Sequence, residues 1–327
     1  MKIIKLIALL FILKISGAYA DLLDAAIDRK LPTAWVWEVK GNDRTVYLVG
    51  DIHAFMGVKN QDLDFKLGFD VFDRASVVLS ESNVSSPSAE PLNAKLSSKV
   101  GPDIWKKIEY YLSSLLETTK YSKEKKEELL RLGLKELDDQ SPDMAFASLL
   151  SFSYDTYSRT VKNHKNVVPG LLVRLIKVDS LRNKDKKINY IESPTSSDDA
   201  WRSTCDSKQQ SQEYMESALD FFDFDKFWNS GKSEKLQQAF WNPLSSGDDV
   251  FKVWYENYPG SDLLLKCNII PRNVVWTPVI LDYLKTKGEP VAVIVGFAHV
   301  TGKNGLLEIL KSNGYSKIKR IYSISEF

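Results

Sequence analysis

Val291-Ala-Val-Ile-Val-Gly-Phe-Ala-His299 is the stretch on which the reading of this chain turns. From Pro290 to Val295 there is no polar side chain, which fits a strand buried on both faces of a sheet. Gly296 then marks a turn, and His299 follows it at what would be the strand's carboxyl end. Upstream, Pro271 predicts a helix start, with the helix running to about Lys287 and ended by Gly288. Downstream, residues 305–313 predict a last helix and Ile318–Ile324 a last strand.

Further from this stretch the same alternation continues. Trp35-Val-Trp-Glu-Val39 and Thr45-Val-Tyr-Leu-Val49 flank the turn signal Gly41-Asn42-Asp43 and predict a hairpin. A helical pattern near Asp62–Asp73 leads to a short strand pattern at Ser76–Leu79, and Ser/Pro-rich residues 84–100 read as loop. Pro102-Asp103 opens a helix whose apolar residues fall at 104, 105, 108, 112, 115 and 116. Helices near 122–138 and 142–158 follow, then a strand at Ile188–Ile191 and a polar stretch, 193–216, passing from loop into helix. Phe and Trp at helical spacing between Ala218 and Tyr258 read as core. Strands alternating with helices predict an α/β fold with a central, mostly parallel sheet flanked by helices. No Pro/Gly-rich linker divides the chain. The expectation is therefore one domain, 21–327, with a helical insertion at roughly 101–165.

Composition narrows the function. The 327 residues include 44 Lys+Arg and 43 Asp+Glu, a formal charge of +1, with 43% hydrophobic and 11% aromatic residues. The apolar share excludes a disordered chain, and the charge balance gives no footprint for nucleic acid. Residues 1–20 have a basic start, eight apolar residues from Leu6 to Leu13, and Ala18-Tyr-Ala20, the pattern of a secretory signal peptide. The run is far short of the ~20 residues a membrane span needs, and no later stretch approaches ~18 apolar residues, so no span is expected in the mature chain. Cleavage after Ala20 removes Lys2, Lys5 and Lys14 and no acid, which takes the charge from +1 to −2. Export, periplasmic or extracellular, would permit a disulfide between Cys205 and Cys267; two buried thiols fit the sequence equally well.

The chain has three histidines. His53 ends Gly50-Asp51-Ile52-His53, after one predicted strand, and His299 ends Gly296-Phe-Ala-His299, after another. With ordinary Gly usage a given His has about a 5% chance of a Gly three residues before it. Two matches among three His therefore point to a shared role rather than coincidence. Gly lets the chain turn sharply off the sheet, and the carboxyl ends of parallel strands are where such sheets bind ligands. The two imidazoles could hold one metal ion, or act as base and electrostatic partner. His164, between Asn163 and Lys165, reads as a solvated loop residue.

Glu81 and Glu192 each follow a predicted strand, and Asp51 lies inside the first G-x-x-H. Together with the histidines they suggest a His₂–carboxylate site with an open position. Arg272-Asn273, at a predicted helix start, could clamp a carboxylate or stabilise an oxyanion. No H-E-x-x-H, G-x-S-x-G, Walker loop or G-x-G-x-x-G is present.

In their order, these motifs resemble the TraB/GumN family, whose relatives include the Tiki proteases and the pheromone-shutdown proteins. The first family motif is similar to Trp35–Val39 and Tyr47-Leu-Val-Gly-Asp-Ile-His53, and its two glutamates to Glu81 and to Glu192 in Tyr190-Ile-Glu-Ser193. Phe227–Gly231, Pro271-Arg-Asn-Val-Val-Trp276 and Val293–Leu307 match its later segments. Asp51 stands where the first motif usually has Thr, and residues 84–165 match the family poorly. The resemblance implies a fold like that of the erythromycin-esterase and haem-uptake proteins, with a site between two pseudo-equivalent halves, each carrying a G-x-x-H. From the Tiki branch it implies a peptidase that uses the two His and a Glu with manganese or cobalt.

The expectation is thus an exported hydrolase acting on a peptide or small-molecule substrate. His53, Glu81 and His299 would hold a divalent ion (Mn, Co or Zn), Glu192 or Asp51 would take a proton, and Arg272 with Asn273 would hold substrate or oxyanion. Two other readings fit the same residues. One is a non-catalytic protein that sequesters a peptide pheromone or small ligand. The other is a metal-free esterase with His53 as base, oriented by Glu81.

Overall fold

In a computed structural model of the chain, the described residues are 31–32, 34–51, 54–55, 63–81, 94–117, 119–149, 168–169, 188–193, 196–222, 231–241, 245–258 and 260–322. The signal-peptide segment, His53, His164, and the predicted helix beyond 149 lie outside them.

Six strands form the main sheet: β1 (Ala34–Lys40), β2 (Thr45–Asp51), β3 (Val77–Ser80), β4 (Ile188–Tyr190), β5 (Val291–Gly296) and β6 (Ile318–Ile321). Their order across the sheet is β6-β1-β2-β5-β3-β4. β1 and β2 form the predicted hairpin, in register from Ala34↔Asp51 to Lys40↔Thr45. β2 runs parallel to β5, β5 to β3, and β3 to β4. β6 is antiparallel to β1, so β1 alone runs against the other five. The last strand ends at Ile321, three residues earlier than its pattern suggested.

Every residue of β5 is buried. Alternate side chains of a strand point to opposite faces, and here each face has its own core. Val291, Val293 and Val295 join Leu48, Trp35 and Trp37 in the larger core, while Ala292 and Ile294 join Val36, Tyr47 and Val49 in the smaller. Helix α1 (Lys66–Arg74) covers the smaller core with Val71 and Phe72. The larger core lies under other helices, among them α2 (Pro102–Glu117), α3 (Lys123–Asp138), α4 (Ser196–Cys205), α5 (Lys208–Leu219), α6 (Gly247–Asn257), α7 (Ile270–Lys285), α8 (Phe297–Val300) and α9 (Leu306–Ser312). The fold is α/β with a helical insertion. Ile104, Ile108, Leu112, Leu115 and Leu116 are the buried face of α2, as their spacing predicts. Phe221, Phe251 and Trp254 lie in the core, with rings of Phe146, Phe221, Phe222 and Tyr258 edge to face or tilted. Among the described residues no helix is long and apolar enough to cross a membrane.

Three local expectations change. Leu96–Val100 is a short helix within the stretch read as loop. Residues 193–216 hold one complete helix, α4, and most of a second, α5, capped by Ser207. Pro271 lies in the first turn of α7, as expected, but the helical path does not begin with it. The helical path begins at Ser261, widens into a π turn over Leu265–Ile269, and continues without a break into α7. Pro has no N–H to give and its ring crowds the carbonyl four residues back, so an ordinary α turn there is disfavoured. The wider turn lets the chain pass Pro271 and remain helical. At its other end α7 meets the β1–β2 turn. Asn42 N–H donates to Leu284 O (3.3 Å), and Arg44 donates to Thr286 Oγ1 (3.1 Å) and Lys287 O (3.0 Å). A side chain at Gly41 would strike Leu284 O, its Cβ lying 2.3 Å away, so glycine is needed for this approach.

Cys205 and Cys267 are bonded, with Cα atoms 5.5 Å apart. The sequence left this open because separation along the chain says nothing about distance in space. The bond joins the end of α4 to the π turn.

Candidate active site

The parallel block brings four strand ends to one edge. Asp51 at the end of β2 pairs with Gly296 at the end of β5, and Ser80 at the end of β3 pairs with both Ile294 and Tyr190. The residues that follow these ends are therefore neighbours: Glu81 after β3, Glu192 after β4, and the α8 turn with His299 after β5. Gly50 allows the closest contact. A Cβ there would lie 3.2 Å from the Phe297 ring and 3.3 Å from its Cα, so the first motif's glycine makes room for the second motif's turn.

Arg272 on α7 joins the acids. Its Nε donates to Glu192 Oε2 (3.0 Å), and its Nη2 donates to Glu81 Oε2 (3.1 Å) and to Glu192 Oε1. Nη1 donates to Asn268 Oδ1 (3.1 Å) and stands 3.4 Å from His299 Nε2. Burial opposes the guanidinium's charge. The Glu192 hydrogen bond and the charges of Glu81, Glu192 and Asp143 outweigh that and raise its pKa above the usual value. Glu81 Oε1 also accepts the Gly296 N–H (2.9 Å), which ties the end of β3 to the end of β5. Trp276, one helical turn beyond Arg272, donates Nε1–H to Glu192 Oε2 (2.7 Å). Its ring lies 4.8 Å from the guanidinium carbon and 4.4 Å from the His299 ring.

Asn273 fixes His299. Its Nδ2 donates to two carbonyls, His299 O (3.1 Å) and Asn304 O (3.0 Å). Both amide protons are thus committed, and Oδ1 faces His299 Nδ1 at 2.9 Å. An amide oxygen only accepts, so Nδ1 carries the proton. In the neutral imidazole Nε2 is then the lone-pair nitrogen, and it points toward Arg272. This tautomer is directly measurable. In protein labelled with ¹⁵N-histidine, His299 Nδ1 should show the protonated shift, and Asn273→Ala should return the ring to a mixture of tautomers. A ring already protonated at Nε2 in the parent chain would contradict the assignment.

A third layer holds Arg272 from behind. Asp143 accepts from Ser141 Oγ (2.6 Å), Ser197 Oγ (2.9 Å) and Asn268 Nδ2, and Asn268 Nδ2 also reaches Ser197 Oγ. Ser141, Asp143, Ser197 and Asn268 are all buried.

A profile of the TraB/PrgY/gumN family matches residues 35–317. The chain belongs to this family. No curated protein and no solved structure gives a significant match. The TraB/PrgY/gumN span contains every side chain of the cluster just described. Of the residues singled out in the sequence, Glu81, Glu192, Arg272, Asn273 and His299 meet in it, and Asp51 is buried at the adjoining strand end. His53 lies outside the described residues, two positions beyond Asp51. Trp276 and Asn268 carried no role in the sequence reading, although each stands four residues from Arg272, the spacing of one helix face. Asp143 and Ser197 had no local signal. Among the described residues no group of three or more His, Cys, Asp or Glu side chains is placed to hold a metal ion.

Proposed function

We propose that this member of the TraB/PrgY/gumN family is an exported hydrolase that cleaves peptides with a divalent metal ion. The observation that carries the reading is the oriented His299. Its Nε2 stands 3.4 Å from Arg272 Nη1, and Arg272 also holds Glu81, at the carboxyl edge of a parallel sheet, where such folds bind ligands. A neutral imidazole whose other nitrogen donates to an oxygen is the form in which His ligates metals. The donor types fit an ion of the Mn, Co or Zn kind, with His299, Glu81 and His53 as the residues that would hold it. When bound, such an ion acidifies water and polarises a carbonyl. Export is supported by the Cys205–Cys267 bond, which belongs to an oxidising compartment, and by the signal-peptide pattern of residues 1–20.

The chain's own groups divide the remaining work. Both oxygens of Glu192 accept hydrogen bonds from Arg272 or Trp276, so its role is to hold the guanidinium in place. Asp51, buried at the end of β2 beside Gly296, is the carboxylate assigned to take the proton from water, on its place at the same strand edge. Arg272 Nη1 is the fixed positive group beside His299, suited to an oxyanion. Asn273 positions the ring.

Elemental analysis of the purified mature protein should give about one metal ion per chain, as expected for a single open site of this ligand type. His299→Ala should lose both the ion and peptide cleavage. Cleavage that survives exhaustive chelation would exclude the metal and favour a metal-free esterase. Tight peptide binding with no turnover under any metal would favour a sequestering protein.

A further inference from the structure

The π turn Leu265–Ile269 carries two side chains with different tasks at consecutive positions. Cys267 is bonded to Cys205, and Asn268 presents its amide to the buried Asp143–Ser197 pair on one side and to Arg272 on the other. Helix α4 meets this turn twice, covalently through Cys205 at its end and through Ser197 in its first turn. A π turn holds one residue more than an α turn, so relaxing it would rotate everything on one side against the other. The disulfide pins Cys267, and with it the register in which Asn268 reaches Arg272.

We propose that the Cys205–Cys267 disulfide positions Arg272 through Asn268, so that the His299 cluster is completely assembled only in the oxidised chain. Asn268 is then a positioning residue, and the bond acts as a switch on the site. The exchange balances simply. An oxidised dithiol partner accepts two electrons and two protons from the two cysteines and is released as a dithiol; a reducing dithiol reverses the step. Before export, in a reducing compartment, the chain would carry free thiols and a loosened Arg272. This deepens the proposed hydrolase reading by giving the same site a regulation, but its test reads Arg272 and requires no turnover.

The probe is the full chain labelled with ¹⁵N-arginine, with the Arg272 guanidinium protons assigned against Arg272→Lys. In the oxidised chain, buried and bonded to two carboxylates, these protons should exchange slowly. After reduction with dithiothreitol they should exchange faster by at least about tenfold, the equivalent of one lost hydrogen bond to a charged group, and slow again on reoxidation. Asn268→Ala should give the same acceleration with the disulfide intact. Far-UV circular dichroism shows whether the reduced chain stays folded; a reduced chain that unfolds would mean the bond holds the whole fold, not the Arg272 register, and would also overturn the proposal. Unchanged Arg272 exchange in the oxidised Asn268→Ala chain would overturn the proposal and leave the disulfide as a staple only. Arg272 responding as expected in a chain that cleaves nothing would retain the switch and reject the hydrolase.

Discussion

Arg272→Met should cost the folded state about 3–5 kcal/mol, the range found when one partner is removed from a buried ion pair. The side chains of Glu81 and Glu192 are 8% and 0% exposed, and both lean on this one guanidinium. Methionine fills much of the same volume but returns none of the hydrogen bonds. Two carboxylates would then lose their shared counter-charge in a place water reaches poorly. Urea unfolding followed by far-UV circular dichroism measures the loss directly. The penalty arises from buried charge, not from missing packing. Adding Glu81→Gln and Glu192→Gln to Arg272→Met should therefore recover part of the loss, a coupling that a multiple-mutant cycle resolves. A single-variant effect below about 1 kcal/mol, the scale of exposed pairs, would mean that water already solvates the cluster.

The second large effect belongs to the disulfide. Cys205→Ala with Cys267→Ala opens a loop of 62 residues in the unfolded chain. In the chain-entropy model a loop of that length contributes about 4 kcal/mol. Both cysteines are fully buried, so shortening the side chains adds a small packing loss to the entropic one. Thermal unfolding of the paired variant should reveal the loss. Dithiothreitol should lower the parent chain to a similar level and leave the variant where it was. A parent chain indifferent to reductant would show the bond to be energetically idle.

How much of this was legible beforehand depended on whether a signal was local. The run at 290–295, the hairpin around Gly41-Asn42-Asp43 and the spacing of α2 each carry their own periodicity, and each appears in the fold where it was expected. The meeting of three side chains was legible to the same degree: Glu81, Glu192 and His299 each follow a strand, and parallel pairing brings strand ends together. Their division of labour was not legible. Nothing in the sequence indicates that one arginine engages both glutamates, since that depends on α7 bringing Arg272 to the ends of two separate strands. The signal of Pro271 was incomplete for a physical reason. Its missing N–H is compatible with a helix start or with a π turn, and only the preceding residues, packed against α4, select the second. Residues 141, 143, 197 and 268 are ordinary polar positions until the fold places them in contact.

Helix α7 is restrained at both extremities, by the disulfide just ahead of it and by the hairpin turn that receives Leu284 O and Lys287 O. Mechanically it is a beam clamped at each end, unable to slide or roll independently of the sheet. A residue added or lost within α7, between Asn273 and Leu284, would demand a shift of about 1.5 Å along the axis and a rotation of about 100°. Neither clamp permits such a movement. The length of α7 between its two clamps is therefore fixed, out to the end of the helix remote from Arg272. Natural length variation in this protein's lineage should be concentrated elsewhere.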